Sequence, residues 1–154
     1  MADALDSLNG LIIPLAEQPL LLPNVAVAEL VGYRLGQAAT QGPSWFPGWA
    51  MWRDQRVPLI DPGLLLGQPA ADALAPRMLI LNAVGGRPGV NFIAMRVPGI
   101  PRSKRVVRGE MEVVGEPSEY ISQVVRLADE DQTLLIPDLE AIERALEQAV
   151  AQCS

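Results

Sequence analysis

The side chains able to do chemistry in this chain are carboxylates and guanidinium groups, and little else. Its 154 residues hold 18 acids, 12 bases, no histidine and a single cysteine, Cys153. Without imidazole the chain lacks the usual general base and the commonest metal ligand. One cysteine also excludes an internal disulfide, a CxxC redox pair and a multi-thiolate zinc site. Two constellations remain. Asp61 with Glu29 is the acid pair open to general acid–base work, but Asp61 precedes Pro62 and reads as a turn former, and no nucleophile elbow accompanies it. Arg102, Lys104, Arg105 and Arg108 put four positive charges into seven residues. They read either as a contact for an anion such as a cyclic dinucleotide, or as a solvated loop beside the chain's own acids. No glycine-rich cradle follows a strand here, which favours the loop.

The charge balance narrows the partners further. The net charge is −6, with ten bases and seven acids in residues 1–109 but two bases and eleven acids in residues 110–154. Such a surface is repelled by phosphate backbones and anionic lipid heads, so general nucleic-acid binding is not expected. The opening MADALDSLNG lacks the positive charge of a signal peptide, and no apolar run approaches the roughly 20 residues of a membrane span. The expected location is the cytoplasm, without membrane insertion and without a cofactor.

The elements that must position these residues are mostly short strands. Gly48 to Arg53 and Arg56 to Asp61 predict a hairpin linked by Asp54-Gln55, and Pro62 then opens a helical turn at Leu64 to Leu66. Trp45, Trp49 and Trp52 all fall in this region and read as core. Upstream, Leu11 to Ala16 is β-rich, yet Pro14 restricts it to an edge or a bulged strand. Leu20 to Leu22 returns antiparallel, a helical turn at Val25 to Val27 follows Pro23-Asn24, and Ala28 to Tyr33 is a strand. LGQAATQGPS (35–44) and QPAADALAP (68–76) read as connectors. Met78 to Val84 is a buried strand, residues 85–89 a turn, and Val90 to Val97 a weakly alternating strand.

VVRGEMEVVG, VVRLADED and QTLLIP are three further β-like pieces. The chain closes on an amphipathic helix, with Leu139, Ile142, Leu146, Ala149 and Val150 on one face and Glu140, Glu143, Arg144 and Glu147 on the other. About ten short strands and few helices indicate an all-β architecture of small barrels or a sandwich.

Three stretches together resemble the CheW-like adaptor family. The pattern PxxFxGWxxWRDxxVPLIDxxxLLG (43–67) is similar to that family's signature strand, turn and V-P-[IV]-[IV]-D strand. VAVAELVGY (25–33) resembles its helical turn and V-x-E-[IV] strand, and SEYISQVVRLADEDQTLLIPDLEAI (118–142) its closing strands and helix. The likeness implies one CheW-like domain over residues 8–147, made of two intertwined five-stranded SH3-like barrels, with 1–7 and 148–154 as flexible tails.

It further implies a scaffold without enzymatic chemistry, joining the regulatory domain of a CheA-like histidine kinase to the cytoplasmic tip of a chemoreceptor. Carried over by position, the family's acid is Glu29, its strand-opening glycine Gly48 and its strand-ending arginine Arg53; Val27 and Leu30 flank the acid as apolar contact area. The pair Glu29–Arg53 is expected to be exposed and to orient a docking face, and the seam between the barrels to receive a receptor helix. Three departures point to a divergent member of the kind found beside pilus-linked chemosensory systems. Asp54 stands where the family has glycine, and Arg96 where it has aspartate. Leu22-Pro23 also replaces a hydrophobic-acid step.

Overall fold

The computed structural model describes residues 7–69, 76–87, 89–128 and 130–153. The predicted connector 68–76 and tail 1–7 therefore lie largely outside the described residues. The chain opens with β1 (Ser7–Ile13) and β2 (Leu20–Pro23), then a 3-10 turn (Asn24–Ala26). β3 (Val27–Gly32), β4 (Leu35–Ala38), β5 (Gly48–Trp52) and β6 (Gln55–Ile60) follow, and a one-turn helix α1 (Pro62–Leu65) leads to β7 (Arg77–Arg87) and β8 (Val90–Val97). The last part holds β9 (Arg102–Val107), a 3-10 turn (Arg108–Glu110), β10 (Met111–Gly115), β11 (Ile121–Leu127), β12 (Leu134–Pro137) and helix α2 (Leu139–Gln152).

These strands form two sheets, ordered β10-β11-β12-β2-β1-β9 and β3-β7-β8-β6-β5-β4, the two barrels of the fold, called A and B below. The N-terminal hairpin belongs with the C-terminal strands, to which a parallel contact of Leu20 with Leu135 joins it, so the barrels are intertwined. Each sheet counts six strands where five were expected, because two segments read as loops join as edge strands. They are β4, paired to β5, and the basic segment β9, paired to β1 along six residues. Pro14 acts differently from expectation as well. It ends β1 at Ile13, and the strand before it, freed of the missing amide, is hydrogen-bonded on both sides, by β2 and by β9.

Three apolar clusters hold the molecule together. Ala50, Trp52, Val57, Leu59, Met78, Ile80 and Ala94 fill barrel B, and Ile12, Leu21, Val125, Leu127 and Leu134 fill barrel A. The largest cluster occupies the seam between them, where Leu79, Leu81, Ile93 and Met95 meet Ile13, Leu20, Leu22 and Leu135. The central strands therefore bury both faces: in β7 alternate residues serve barrel B (Met78, Ile80) and the seam (Leu79, Leu81), which is why its sequence is an unbroken apolar run. The seam expected to receive a receptor helix is filled by this core together with Ile142, Leu146 and Ala149 of α2.

Helix α2 differs from its sequence pattern in two respects. It continues to Gln152, where the expected C-terminal tail lies, and Ala149 is buried beneath it. Glu143, assigned to the polar face, is 2% exposed. Its carboxylate accepts hydrogen bonds from the backbone amides of Val84 (3.2 Å) and Gly85 (2.9 Å), and Arg87 lies 3.4 Å away. A buried carboxylate is tolerable only with such partners. Gly85 has no Cβ for a related reason, since one would stand 2.6 Å from the Glu143 oxygen. Gln68 performs a similar service between the barrels, accepting from Glu17 and Gln18 amides and donating to the Gln18 carbonyl.

Candidate functional site

The site grows from the β5–β6 hairpin. Trp52 pairs with Gln55, so the two-residue turn is Arg53-Asp54, one residue earlier than expected. Both turn residues have positive φ, 49° and 62°, the backbone signature of a type I′ turn whose twist suits a hairpin. Aspartate is among the few non-glycine residues that visit this region readily, which explains how Asp54 replaces a glycine. Arg53 thus occupies the turn rather than the strand, with a guanidinium 68% exposed.

Glu29 meets it from the neighbouring edge of barrel B. Its Oε1 accepts from Arg53 Nη2 at 3.2 Å and from the indole Nε1 of Trp52 at 2.8 Å. Arg53 also lies over the Trp52 ring, 5.0 Å from its centroid, and Phe92 packs on that indole edge to face. Trp52 itself is 9% exposed, so its N–H needs an acceptor, and Glu29 supplies one. The result is a half-exposed carboxylate anchored from below by a core tryptophan and capped from outside by an arginine. No signal in the sequence named Trp52 as the anchor beyond the rule that a buried indole finds a partner.

The other expected site residues are placed differently. Gly48 is buried, with φ 141°. A Cβ there would lie 2.8 Å from the amide nitrogen of Ala39 and 2.9 Å from Ala38 Cα, so the glycine lets β4 approach β5. Val27 and Leu30 turn away from Glu29. A register shift between Val27 and Glu29 pairs Val27 with Leu81 and Leu30 with Leu79, both residues of the seam, while Glu29 and Val31 pair with Ile80 and Met78 of the barrel interior. Paired residues share a side of the sheet, so the two apolar residues are on the opposite face from the acid, where Val27 packs against the seam cluster and Leu30 is 38% exposed.

Further cations line the same barrel. Arg56 stacks on Trp49 at 5.3 Å and its guanidinium donates to Gln37 on β4. Arg96, which stands where an aspartate was expected, lies 3.7 Å from the centroid of Tyr33. Asp61 is occupied as the cap of α1, accepting from the Leu64 amide at 3.2 Å, which argues against a catalytic role. In the basic segment Arg102 and Lys104 both reach Glu130, at 2.9 and 3.7 Å. Among the described residues no helix is long and apolar enough to cross a membrane, and no group of three or more acids or cysteines is gathered as a metal site.

Two small barrels sharing a seam core, with an anchored ion pair on one of them, make this a twin-barrel all-β protein. The chain belongs to the CheW-like domain family, whose model matches residues 9–147. Among solved structures it is similar to the scaffolding protein TtCheW from Thermoanaerobacter tengcongensis, at a TM-score of 0.70 and 16% identity, covering 86% of this chain and 89% of that one. At that identity the likeness speaks for the fold. No curated protein sequence matches the chain.

Proposed function

We propose that this chain is a non-enzymatic cytoplasmic adaptor that couples a chemoreceptor to the regulatory domain of a CheA-like histidine kinase, in chemotaxis or in type IV pilus motility. The family assignment supports the adaptor role. The single observation that carries the docking site is the Glu29–Arg53 pair, exposed at 39% and 68% yet fixed by Trp52. An exposed ion pair contributes only about 0–1 kcal/mol to stability, so the arrangement has little value as a strut. Its value is in presenting one anion and one cation in a set geometry, which is what register and partner choice at a protein interface require.

Asp61 is engaged as the cap of α1, which supports the non-enzymatic reading over an acid-pair enzyme. The test is Arg53→Glu, compared with wild type by circular dichroism, size exclusion and pull-down on a CheA-like regulatory domain and on a receptor tip. A folded variant with reduced capture of either partner is expected. Unchanged capture of both by a folded variant removes Arg53 from the interface.

A further inference from the structure

We infer that this chain associates head to tail with a second copy of itself, the outer edge of β10 in barrel A pairing with the outer edge of β4 in barrel B. The two strands hold corresponding places. Each is the last strand of its six-stranded sheet, with a ladder on one side only, to β11 and to β5 respectively. An open strand edge presents a row of amides and carbonyls ready to pair with another chain. Both edges also carry apolar side chains in water: Val113 and Val114 on β10 and Leu35 on β4 are exposed, and so is every other residue of β4.

Charge selects the pairing. Glu112 lies on β10 with Arg126 as its cross-strand neighbour, Glu110 and Glu116 flank the strand, and all three acids are exposed. On β4 the sign is reversed. Exposed Arg34 stands just before the strand, and Arg56 donates to Gln37 upon it. Two copies of β10 would set acid against acid, and two of β4 arginine against arginine, and like charges directly opposite repel. Only β10 against β4 sets acid against arginine. In an antiparallel seating with Leu35 opposite Val114, Gln37 and its Arg56 stand opposite Glu112, and Arg34 stands beside Glu116. The apolar residues then meet in the middle and opposite charges meet at each end, as strand addition requires. The strands are only four and five residues long, so the contact is small, exchanges rapidly and weakens with salt. Because the two edges are on different barrels, a pair of copies keeps one open edge of each kind, and the contact can repeat.

Sedimentation velocity of the full chain alone, from micromolar to millimolar concentration, tests this. No kinase or receptor is present, so the result stands apart from capture through Glu29 and Arg53. At low ionic strength the weight-average sedimentation coefficient is expected to rise with concentration, and at about 0.5 M salt to rise much less. Arg56→Glu and Glu112→Arg, each alone, should weaken association at least about tenfold. Mixed in equal amounts they should recover it, because the reversed β4 of the first meets the reversed β10 of the second. Arg34→Glu mixed with Glu116→Arg makes the same swap if either of the first two variants fails to fold by circular dichroism. A sedimentation coefficient that stays flat over the whole range overturns the inference, as does association that either single reversal leaves unchanged or that the mixture fails to recover.

Discussion

Replacing Glu29 by alanine should cost far more stability than replacing its arginine partner, although the two form one ion pair. The Arg53 guanidinium is 68% exposed and the Glu29 carboxylate 39%, so their mutual attraction is screened and amounts to about 0–1 kcal/mol. The second bond to Glu29 is of another kind. It comes at 2.8 Å from the indole of Trp52, which is 9% exposed and packed among Val57, Leu59 and Ile80. A hydrogen bond to a charged acceptor contributes about 1.5–3 kcal/mol, and removing the acceptor leaves a poorly hydrated N–H unmet. Glu29→Ala should therefore destabilise by about 2–3 kcal/mol and Arg53→Ala by less than about 1 kcal/mol. Urea denaturation resolves this, since about 2 kcal/mol moves the midpoint by about 1 M at an ordinary slope. In a Trp52→Phe background, which keeps an aromatic ring but removes the donor, the cost of Glu29→Ala should fall by about 1.5–3 kcal/mol. Equal midpoint shifts for Glu29→Ala and Arg53→Ala, or an unchanged Glu29→Ala cost in the Trp52→Phe background, would refute the claim that the indole is the anchor.

Four other outcomes follow from single residues. Asp54→Gly relieves a left-handed aspartate at φ 62° and should stabilise by about 0.5–1 kcal/mol in the same urea assay, the gain being smaller than the local strain because glycine is freer when unfolded. Gly48→Ala forces a Cβ at φ 141° into the backbone of Ala38 and Ala39; a loss of about 3 kcal/mol, read as a fall in Tm of about 6–12 °C, is expected. Glu143→Ala strips the acceptor from the Val84 and Gly85 amides, and should cost about 3 kcal/mol and speed amide exchange at both positions. Burial, and secondarily Glu119, raise the Tyr120 phenol above its ordinary value of 10.0. Because the folded state favours the protonated ring, this contribution is complete below the unfolded value and is lost as pH rises through the folded one. Alkaline unfolding should thus steepen above pH 10.0, and Tyr120→Phe should remove that component.

The docking reading changes meaning once the faces of β3 are known. In the bare sequence Val27, Glu29 and Leu30 read as one contact patch. The register shift at Ala28 puts the apolar pair on the seam-facing side, where Val27 packs and Leu30 stays 38% exposed, and the acid at the barrel interior's rim. Of the aromatic pair beside Glu29 and Arg53, Trp52 is buried at 9% exposure and Phe92 is partly exposed. Arg96 over Tyr33 extends the cationic and aromatic character of barrel B. This surface differs in charge from one with aspartate at position 96, which is the physical content of the divergence noted in the sequence.

What could be read in the bare chain was whatever is decided within a few residues. The hairpin of β5 and β6, the capped turn after Asp61, the return of β2 on β1 and the closing helix all follow from proline, cap and periodicity rules acting locally. The proximity of Glu29 and Arg53 came through resemblance, and their exposed pairing at 3.2 Å agrees with it. Three-dimensional neighbours decided the rest. LGQA and RSKRVV carry too few apolar residues to announce a strand, and become β4 and β9 because β5 and β1 offer them a ladder. Glu143 has the sequence of a solvated position and the surroundings of a buried one, because two amides and an arginine from β7 face it. Local chemistry fixes how a segment bends; which of its faces is inside depends on what the rest of the chain packs against it.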